Sequence, residues 1–451
     1  MSRTERDAFG IVALPDNALY GVQTARAVDN MSFSGRKLAD YPDYVVALAW
    51  VKTAAARANA RAGALSPALA EAIEAACARI GAGELRDQFV VDAFHGGGGI
   101  GANMNANEVI ANAANERLGG ARGAYVPVDP IEHANASQST SDVCHTAVRL
   151  AVLRRYDALA PALARLGGAL EAKAVEFAEV ATISRTCLQD ALRTTLGDLF
   201  AGYGSGWSRR TDALRNTVEA LAAINLGGTV IGSGVGAPAA YRSQVVDCLR
   251  DVAPYPVRLR DNLYDAAQNL DDLAAVSAEL ALISRLLLKI AKDLRLLSSG
   301  PEAGFGELKL PAVQAGSSFF PGKINPVVPE TLMQCCFLVL GADRTIQLAL
   351  EHAELNLTVF DSFAGVQLLE AMTMLERAVV LFTDKCVAGV AADVARCRDL
   401  TRTLIPVVVD LKETHGYAQV SRWMKEETKE RIVSRWLERS DSEHGAKDGS
   451  A

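Results

Sequence analysis

Apolar residues spaced alternately three and four positions apart form the most regular hydrophobic pattern in the chain. The pattern runs for about seven helical turns without an intervening glycine or proline. Its members are Leu273, Val276, Leu280, Ile283, Leu287, Ile290, Leu294 and Leu297. The segment Ser298–Pro301 then ends it with residues that stop helices. Such a helix would be about 40 Å long, which predicts a bundle of long helices rather than a small domain.

Three further apolar runs predict helices that start near Thr146, Thr331 and Val366. Together with the first pattern they predict a mainly α fold, in which residues 136–390 form an up-and-down bundle. A bundle this long would leave much of a continuous apolar seam exposed in a single chain. We therefore expect a homo-oligomer in which neighbouring subunits cover part of that seam.

The two flanking segments differ from the bundle in composition. Residues 1–135 are richer in glycine, and they are predicted to form a mixed, partly helical N-terminal domain with helices at Tyr44–Ala62 and Asn107–Leu118. Residues 391–451 are more polar and are predicted to form a small C-terminal helical domain. Its tail, Ser440–Ala451, has no apolar residues apart from alanine, so we expect it to be disordered.

The composition and net charge indicate which class of molecule the protein binds. Of 451 residues, 50% are hydrophobic and 22% are charged, and the formal net charge is -7. Since there is no block of lysine and arginine, this charge argues against nucleic acid or an acidic membrane and favours a small molecule. The N-terminus lacks an apolar signal core and no uncharged apolar run is long enough to span a membrane, so we expect a cytoplasmic protein.

Cysteine and histidine give no sign of a metal site. The eight cysteines are scattered with no Cys-x-x-Cys pair, which is typical of free thiols in a reducing compartment. The six histidines do not fall at the spacings of zinc ligands. We therefore expect no bound metal.

The segment Gly316–Pro326 is the clearest candidate for a reactive loop, and its sequence is Gly-Ser-Ser-Phe-Phe-Pro-Gly-Lys-Ile-Asn-Pro. Pro326 and the helix-forming run after it would direct free backbone N–H groups and the positive end of a helix dipole toward the loop. Together with the ammonium of Lys323 and the amide of Asn325, that environment suits an anion. Carboxylate, enolate and phosphate all fit at this point.

Three glycine-rich segments resemble known motifs but fail on spacing or context. Gly316–Lys323 has one residue too many between its glycines for a phosphate loop, and Ile324 stands where that motif needs Ser or Thr. Gly232–Gly236 fits a loose dinucleotide fingerprint, but Pro238 follows without an alternating strand and helix pattern, so a turn is expected. His95–Gly99 resembles an esterase oxyanion loop, but the chain has no Gly-x-Ser-x-Gly elbow.

Five ordered segments together carry a resemblance to a known family. They are Tyr-Gly-Val-Gln-Thr-x-Arg at Tyr20–Arg26, Asn-Met-Asn-x-Asn-Glu-Val at Asn103–Val109, Ser-Gln-Ser-Thr-x-Asp at Ser137–Asp142, Arg-Thr-x-Leu-Gln-Asp at Arg185–Asp190, and the loop Gly316–Pro326. From about Leu19 to about Val390, the chain resembles the aspartase and class II fumarase superfamily. At Asp293–Pro301 and Asn325–Glu330 its sequence is similar to that of aspartases rather than fumarases.

The resemblance implies a mainly α, three-domain subunit that forms a homotetramer, with each active site built from three subunits. It also implies cofactor-free elimination from a succinate-type dicarboxylate, with fumarate as the usual product. Such a reaction needs a base beside the carbon that loses its proton. It also needs groups that stabilise the carboxylate as it becomes a doubly negative aci-carboxylate.

By motif position, the resemblance implies that Ser317 is the general base and that Lys323 supplies charge to the catalytic site. A serine is a poor base unless backbone N–H groups and a nearby cation stabilise its alkoxide. The resemblance also implies the residues that bind the two carboxylates of the substrate: Ser139, Thr140 and Ser318 for the one whose charge grows, and Thr186, Lys323 and Asn325 for the other.

Four positions that surround the leaving group in the family are changed in this chain. Ile100, Ser141, Cys187 and Phe320 stand where many members carry Thr, Asn, His and Met. Glu330 is retained, although the histidine that usually partners it is replaced by Cys187. An ammonium would be poorly solvated among these side chains, which favours a neutral or larger leaving group. Cys187 is predicted to be a small buried hydrophobe rather than a nucleophile.

Three hypotheses follow for the function. The first is a carbon–nitrogen lyase that acts on aspartate or on a substituted aspartate, such as an N-substituted or nitro succinate. The second is a fumarase-like hydratase, which the aspartase-like sequence and the missing histidine disfavour. The third is a non-catalytic homologue, against which the intact Ser317, Lys323 and Asn325 argue.

Overall fold

The computed structural model describes residues 2–445, and the side chains as far as Glu438. It is mainly helical, as predicted. The α-helices are α1 (Val22–Met31), α2 (Pro42–Arg61), α3 (Pro67–Gly81), α4 (Ile100–Arg117), α5 (Thr140–Glu176), α6 (Leu196–Glu219), α7 (Ala239–Arg242), α8 (Val245–Arg250), α9 (Leu263–Gln268), α10 (Asp271–Leu297), α11 (Val327–Glu351), α12 (Asp361–Lys385), α13 (Val394–Thr401), α14 (Leu404–His415), α15 (Tyr417–Glu426) and α16 (Lys429–Gly445).

The strands are short and form two-stranded sheets. They are β1 (Ser2–Asp7), β2 (Gly10–Pro15), β3 (Ala181–Thr186), β4 (Gln189–Thr195), β5 (Ala223–Ile224), β6 (Arg258–Leu259), β7 (Leu308–Lys309) and β8 (Ala391–Ala392). The pairs β1–β2, β3–β4 and β7–β8 are antiparallel, whereas β5–β6 is parallel. The hairpin β3–β4 carries the segment Arg185–Asp190 at its apex.

The chain divides into two compact units. The first contains the residues up to Pro161 with Arg210–Ser284 and Phe337–Glu376. The second contains Ala162–Arg209, Arg285–Cys336 and the residues from Arg377 onward. The division into three domains at residues 135 and 390 is a different one and stays a prediction.

A buried cluster of charges joins three long helices in the first unit. Arg149 of α5 has no exposed side-chain surface and pairs with Asp272 of α10 at 2.7 Å and with Asp361 of α12 at 2.9 Å. Burial raises the pKa of Asp361 to about 6, although the positive charge of Arg149 opposes the shift. Because a buried guanidinium is tolerated only with such partners, these contacts fix the alignment of the helices.

Hydrogen bonds between helices also hold the second unit together. The indole N–H of Trp207 in α6 donates to the carbonyl of Leu163 in α5 at 2.9 Å. The hydroxyl of Tyr203 in α6 donates to the Asp293 carboxylate of α10 at 2.8 Å. Long helices therefore contact one another in each unit, as a helical bundle requires.

The apolar seam of α10 is buried within the chain itself. The residues from Leu273 to Leu294 in the pattern are all at most 1% exposed, and Leu297 is half-buried. The expectation that neighbouring subunits would cover this seam is therefore wrong. Exposed apolar side chains lie instead on α11, where Phe337 is 53% exposed and Leu338 is 61% exposed.

Several helices begin earlier than the apolar pattern indicates. The structure starts α5 at Thr140 rather than near Thr146, α11 at Val327 rather than near Thr331, and α12 at Asp361 rather than near Val366. The first turns of α5 and α12 contain polar residues that suit a helix N-terminus and interrupt apolar periodicity, whereas the first turn of α11 contains Pro329 and Glu330. In α5 the first turn is Thr-Ser-Asp, and it belongs to a motif of functional interest.

The helix α4 also begins earlier than expected, at Ile100 rather than Asn107. It contains poor helix formers that hydrogen-bond buried backbone outside the helix. The amide nitrogens of Asn105, Asn112 and Asn115 donate to the carbonyls of Gln88, Leu19 and Val128 at 2.7–2.9 Å. Tertiary hydrogen bonds therefore outweigh the low helix propensity of asparagine.

The C-terminal helices form a small cluster with its own core. Val407, Leu411, Val420 and Ile432 are buried together, and Trp436 packs against them. The last helix continues to Gly445. Part of the predicted disordered tail, from Ser440, is therefore helical, and residues 446–451 lie outside the described residues. Within the described part of the chain, no helix combines the length and apolarity needed to cross a membrane.

Candidate functional site

The loop Gly316–Pro326 lies in the second unit and is closed at its neck by backbone contacts. The N–H of Gly316 donates to the carbonyl of Lys323 at 2.9 Å, and the Asn325 amide donates to the Gly316 carbonyl at 2.5 Å. A Cβ on residue 316 would lie 2.5 Å from both the Asn325 nitrogen and the Lys323 carbonyl oxygen. Glycine is therefore required here, because the two sides of the neck pass too closely for any side chain.

Two backbone N–H groups converge on the hydroxyl of Ser317. The N–H of Phe319 donates to Ser317 Oγ at 3.0 Å, and the N–H of Phe320 donates to it at 2.9 Å. Turns beginning with serine often make such bonds, and the purely structural interpretation is a local turn. The same two donors also stabilise a negative charge on Oγ, as a serine base requires.

The remainder of the loop supplies positive charge and exposed aromatic surface. The ammonium of Lys323 lies 5.5 Å from the centroid of the Phe320 ring, within the range of a cation–π contact. Phe319 and Phe320 pack edge to face with their centroids 4.8 Å apart, and Phe320 is 55% exposed. The adjacent Ser318 is exposed as well. The loop therefore presents much of its charge and aromatic surface at the exterior of this chain.

Thr186 and Cys187 lie at the apex of the hairpin β3–β4, also in the second unit. Thr186 pairs with Gln189, so Cys187 and Leu188 form a two-residue turn. Both turn residues have left-handed backbone conformations, with φ of 52° and 60°. Cys187 is exposed, so its predicted burial is wrong for this chain. A two-residue hairpin turn directs its residues away from the sheet, where the hairpin offers nothing to cover them.

The first unit places Ser139–Ser141 at the N-terminal end of α5, where the three residues are half-buried. Asp142 fixes this end, because its carboxylate accepts hydrogen bonds from the N–H groups of Ser139, Gly227 and Thr229 at 2.9, 2.9 and 3.1 Å. Burial raises the pKa of the Asp142 carboxyl group, and the three donors oppose that shift. The motif Ser137–Asp142 is thus held in place by its own last residue.

The three hydroxyls of this segment are not equivalent. Thr140 Oγ1 accepts from the Asn103 amide at 3.0 Å, and Ser139 Oγ accepts from the N–H of Ser141 at 3.3 Å. Both side chains act as acceptors in these bonds and retain a proton that they could donate to a carboxylate. The Ser141 hydroxyl already donates to the carbonyl of Val230 at 2.8 Å.

A fully buried lysine lies behind Thr140. Lys52 Nζ donates to the Oδ1 atom of Asn135 at 2.9 Å, and the same oxygen accepts from Asn103 and Asn107 at 3.1 and 3.2 Å. Burial lowers the pKa of Lys52 from 10.5 to about 7. The amide of Asn103 therefore connects the partner of Lys52 to the hydroxyl of Thr140.

Ile100 is the first residue of α4, directly after the segment His95–Gly99, and it is 43% exposed. Gly99 has φ of 96°, and a Cβ there would lie 2.6 Å from the sulfur of Cys144 in α5. The glycine thus allows the start of α4 to approach α5 closely. Ile100 and Ser141 consequently belong to neighbouring helix ends in the same unit.

Glu330 has a partner that the sequence does not indicate. Its carboxylate pairs with the guanidinium of Arg295 in α10 at 3.1 Å. Both side chains are partly exposed, so the pair contributes little to stability. Its effect is to orient Glu330 in the first turn of α11, directly after the loop.

Sequence reasoning interprets Gly232–Gly236 as a plain turn and misses the contribution of the longer segment Gly227–Gly236. The structure has turns there, as predicted, but the segment also lies against the start of α5 through Asp142 and Ser141. The sequence contains one indication of this contact. Asp142 belongs to one of the five motifs, and a buried carboxylate needs hydrogen-bond donors. The partners of such a carboxylate cannot be identified from sequence.

The first of the family-like segments has a structural role. The carboxylate of Glu108 in α4 accepts hydrogen bonds from the N–H groups of Gly21 and Gln23 and from the hydroxyl of Thr24, at 2.6–2.9 Å. These contacts anchor the start of α1 on α4. The segments Tyr20–Arg26 and Asn103–Val109 therefore support the site through the fold.

The predicted site residues thus form two groups, each within one unit. Ile100, Ser139, Thr140 and Ser141 belong to the first unit. Thr186, Cys187, Ser317, Ser318, Phe320, Lys323, Asn325 and Glu330 belong to the second. Within the second group the loop is one compact structure and the hairpin apex is another, and no hydrogen bond between described residues joins them.

Comparison with known proteins gives consistent results. The model of a family described as lyase matches residues 10–341. An aspartate ammonia-lyase from Pseudomonas aeruginosa is 41% identical over 94% of this chain and 90% of its own length. Among solved structures, a cobalt-bound fumarate lyase:delta crystallin from Brucella melitensis has a TM-score of 0.94 and 42% identity, covering 96% of both chains. A class II fumarase from Schistosoma mansoni has a TM-score of 0.91 and 27% identity, covering 96% of this chain and 95% of its own.

Proposed function

The chain belongs to the aspartase and class II fumarase superfamily and is a carbon–nitrogen lyase, and from that premise we propose that it eliminates the nitrogen group of aspartate or a substituted aspartate and releases fumarate. The relative from Pseudomonas aeruginosa and others between 38% and 40% identical are named aspartate ammonia-lyases. Their names support the reaction class. The residues described above support the individual steps.

In the proposed reaction, Ser317 Oγ removes a proton from the carbon next to one carboxylate. The electrons of that C–H bond pass into the carboxylate, which becomes a doubly negative aci-carboxylate. They then form the carbon–carbon double bond as the C–N bond breaks, and the nitrogen leaves with the electrons of that bond. The products are fumarate, an amine and a proton held by Ser317.

The observation that carries this proposal is the pair of N–H groups on Ser317 Oγ. They stabilise an alkoxide before substrate binds, so the base needs no separate rearrangement. Lys323 adds a positive charge in the same loop, and Ser139 and Thr140 retain hydroxyl protons that suit a carboxylate. Asn325 has one amide hydrogen on the Gly316 carbonyl and the other available for substrate.

A substituted nitrogen is favoured by the leaving-group positions. Ile100 brings an apolar side chain and Phe320 brings an exposed ring, so that Ser141 Oγ, whose proton goes to the Val230 carbonyl, is the acceptor left among these three side chains. A bare ammonium would find few acceptors there, whereas an amine with an organic substituent would contact these side chains. A hydratase is the weaker alternative, because Cys187 stands in place of the histidine that fumarases carry.

The proposal includes a homotetramer whose active sites combine residues from several copies of the chain. The tip of the loop, the hairpin apex and Ile100 are exposed in the single chain, whereas elimination chemistry of this kind benefits from a site that excludes water. Exposed Phe337 and Leu338 offer apolar surface for assembly. The cysteines in the described part of the chain form no disulfide, in keeping with a reducing compartment such as the cytoplasm.

Fumarate absorbance with purified protein tests the reaction. The substrates are aspartate, N-substituted aspartates, nitrosuccinate and malate, and we expect fumarate from at least one nitrogen compound. Ser317→Ala should lower the rate by about 100- to 10,000-fold, the range for loss of a general base. Lys292→Met, which removes an exposed lysine of α10, is the control and should retain the wild-type rate.

Three results would change the assignment. Fumarate formed only from malate would indicate the hydratase. A Ser317→Ala variant as active as wild type would remove Ser317 as the base. No turnover of any compound would leave the non-catalytic homologue as the best description.

A further inference from the structure

Arg193 connects the hairpin β3–β4 to three separate parts of the C-terminal helical cluster. Its guanidinium pairs with the carboxylate of Asp410 in α14 and donates from Nε and Nη2 to the carbonyl of Thr401 at 3.2 and 3.0 Å. It also lies 4.3 Å from the centroid of the Trp436 ring in α16. The contacts reach the last residue of α13, the middle of α14 and the middle of α16.

These contacts depend on the planar shape of the arginine side chain. One face of the planar group stacks on an indole while its edge binds a carboxylate and a carbonyl, which lysine cannot do simultaneously. The indole N–H of Trp436 donates to the same Asp410 carboxylate at 2.9 Å. Arg193, Asp410 and Trp436 therefore form a closed three-residue contact, which we call the Arg193 clamp.

The other strand of the hairpin is fixed independently. Arg185 of β3 pairs with the fully buried Glu307 at 2.6 Å. The hydroxyl of Ser184 closes a bulge in the hairpin by accepting from the N–H of Leu192 and donating to its carbonyl, both at 3.0 Å. The hairpin is thus held on both strands: on β3 by Arg185, directly before Thr186, and on β4 by the Arg193 clamp nearer the base.

The apex has a conformation that needs such support. Cys187 and Leu188 both have φ above 50°, a region in which residues other than glycine and asparagine are strained, and neither is buried. Exposed side chains cannot hold this conformation by packing. The strands and the contacts of Arg185 and Arg193 must hold it.

We propose that Arg193 is a positioning residue that orients the hairpin apex, and thereby Thr186, by clamping β4 to the C-terminal cluster. This proposal rests on the proposed function for the role of Thr186 as a ligand of the substrate carboxylate. It gives the C-terminal cluster an effect on substrate binding through one side chain.

A kinetic cycle tests the connection to Thr186. Arg193→Gln should raise KM about tenfold with a smaller effect on kcat, since a displaced ligand mainly weakens binding. In a Thr186→Ala background the same substitution should have no further effect on KM. Asp410→Asn, which retains an acceptor for Trp436 and loses the ion pair, should reproduce the effect of Arg193→Gln.

Hydrogen exchange gives a measure that does not depend on turnover. Peptides that cover residues 181–195 should exchange faster in Arg193→Gln, and Arg193→Lys should lie between that variant and wild type. Arg398→Gln, an exposed arginine of the neighbouring helix α13, is the matched control and should leave KM and exchange unchanged.

Equal effects of Arg193→Gln in both Thr186 backgrounds would overturn the proposal, because the residue would then act on overall stability. Wild-type KM and exchange in Arg193→Gln would overturn it as well. If the wild-type protein turned over none of the compounds, the proposed function would fail. The hydrogen-exchange experiment would then test by itself whether the Arg193 clamp holds the hairpin. Unchanged exchange of residues 181–195 in Arg193→Gln would contradict the clamp.

Discussion

At the scale of single residues, Lys52 of the first unit has an unusual environment for a cation. It is fully buried, and its ammonium donates a hydrogen bond to a neutral amide, that of Asn135. Burial accordingly lowers its pKa to about 7, while Asp142 and the thiols of Cys144 and Cys77 exert opposing effects. Such a lysine loses its proton near neutral pH in the folded chain but holds it to about 10.5 in the unfolded chain.

This difference predicts a pH dependence of stability. Between pH 7 and 10.5 the unfolded chain holds more protons at Lys52 than the folded chain, so its contribution to the free energy of unfolding rises with pH. In Lys52→Met that rise should disappear. The free energy of unfolding of the variant, minus that of wild type, should fall by about 1.4 kcal/mol for each pH unit above about 7.

Urea unfolding at fixed protein concentration from about pH 6.5 to about pH 9 would measure the difference. Lys292→Met, which removes an exposed lysine of α10, should give a difference that does not vary with pH. A pH-independent difference for Lys52→Met as well would mean that the lysine remains charged when buried.

At the scale of elements, the loop Gly316–Pro326 depends on its neck more than on its tip. The tip carries the exposed Phe319 and Phe320, whereas the neck brings Gly316 against Lys323 and Asn325 at hydrogen-bond distance. If the neck opened, the N–H groups that face Ser317 Oγ would no longer be held in register with Lys323.

Gly316→Ala should therefore impair catalysis with little effect on folding. The added methyl group would force Lys323 and Asn325 apart, and we expect kcat to fall about 10- to 100-fold. The free energy of unfolding should change by less than about 1 kcal/mol, because the loop is largely exposed. Kinetics and urea unfolding of the same preparation would check both parts.

Gly322→Ala is the matched control in the same loop. A Cβ at residue 322 would meet no atom within 4 Å, although φ of 78° makes alanine strained there. We expect a smaller loss of kcat than for Gly316→Ala. A larger loss would indicate that backbone conformation at the tip matters more than the neck.

At the scale of the whole molecule, the exposed face of α11 is a substantial apolar surface that the chain leaves uncovered. Phe337, Leu338 and Leu348 are at least 40% exposed on this helix, although the seam of α10 is covered. Apolar side chains clustered on an exposed helix face are typical of subunit interfaces. The proposed homotetramer would bury this face.

Leu338→Glu should then disrupt the assembly. A buried, unpaired carboxylate at an interface is costly, so sedimentation velocity should show a shift from tetramer toward smaller species. Activity should fall with the tetramer if several copies share each site. Val175→Glu, at a valine of α5 that is 75% exposed, should change neither property. A wild-type protein that sediments as a monomer would contradict the proposed assembly.

Several features are predictable from the sequence because they depend on local physics. The spacing of Leu273 to Leu297 predicts the long helix within two residues, since apolar periodicity and the Ser298–Pro301 stop are local signals. Pro326 marks the start of α11 at Val327 as a local signal, although the apolar run alone places that start near Thr331. Helices with polar first turns, such as α5, begin earlier than predicted because capping residues carry no apolar pattern.

Other features are decided only by the tertiary structure. The exposure of Cys187, the burial of Lys52, the Arg295 partner of Glu330 and the Arg193 clamp all depend on how distant segments pack. Sequence alone determined the mainly α fold, because apolar spacing within one segment is a local signal. The reactive loop and the residues suited to binding a dicarboxylate stay predictions, and the roles of those residues rest on the family resemblance. The tertiary structure decided the pKa of Lys52, the exposure of the Cys187 thiol and the support of the hairpin apex. Burial and electrostatics are properties of atoms brought together from many segments, so they cannot be derived from one segment alone.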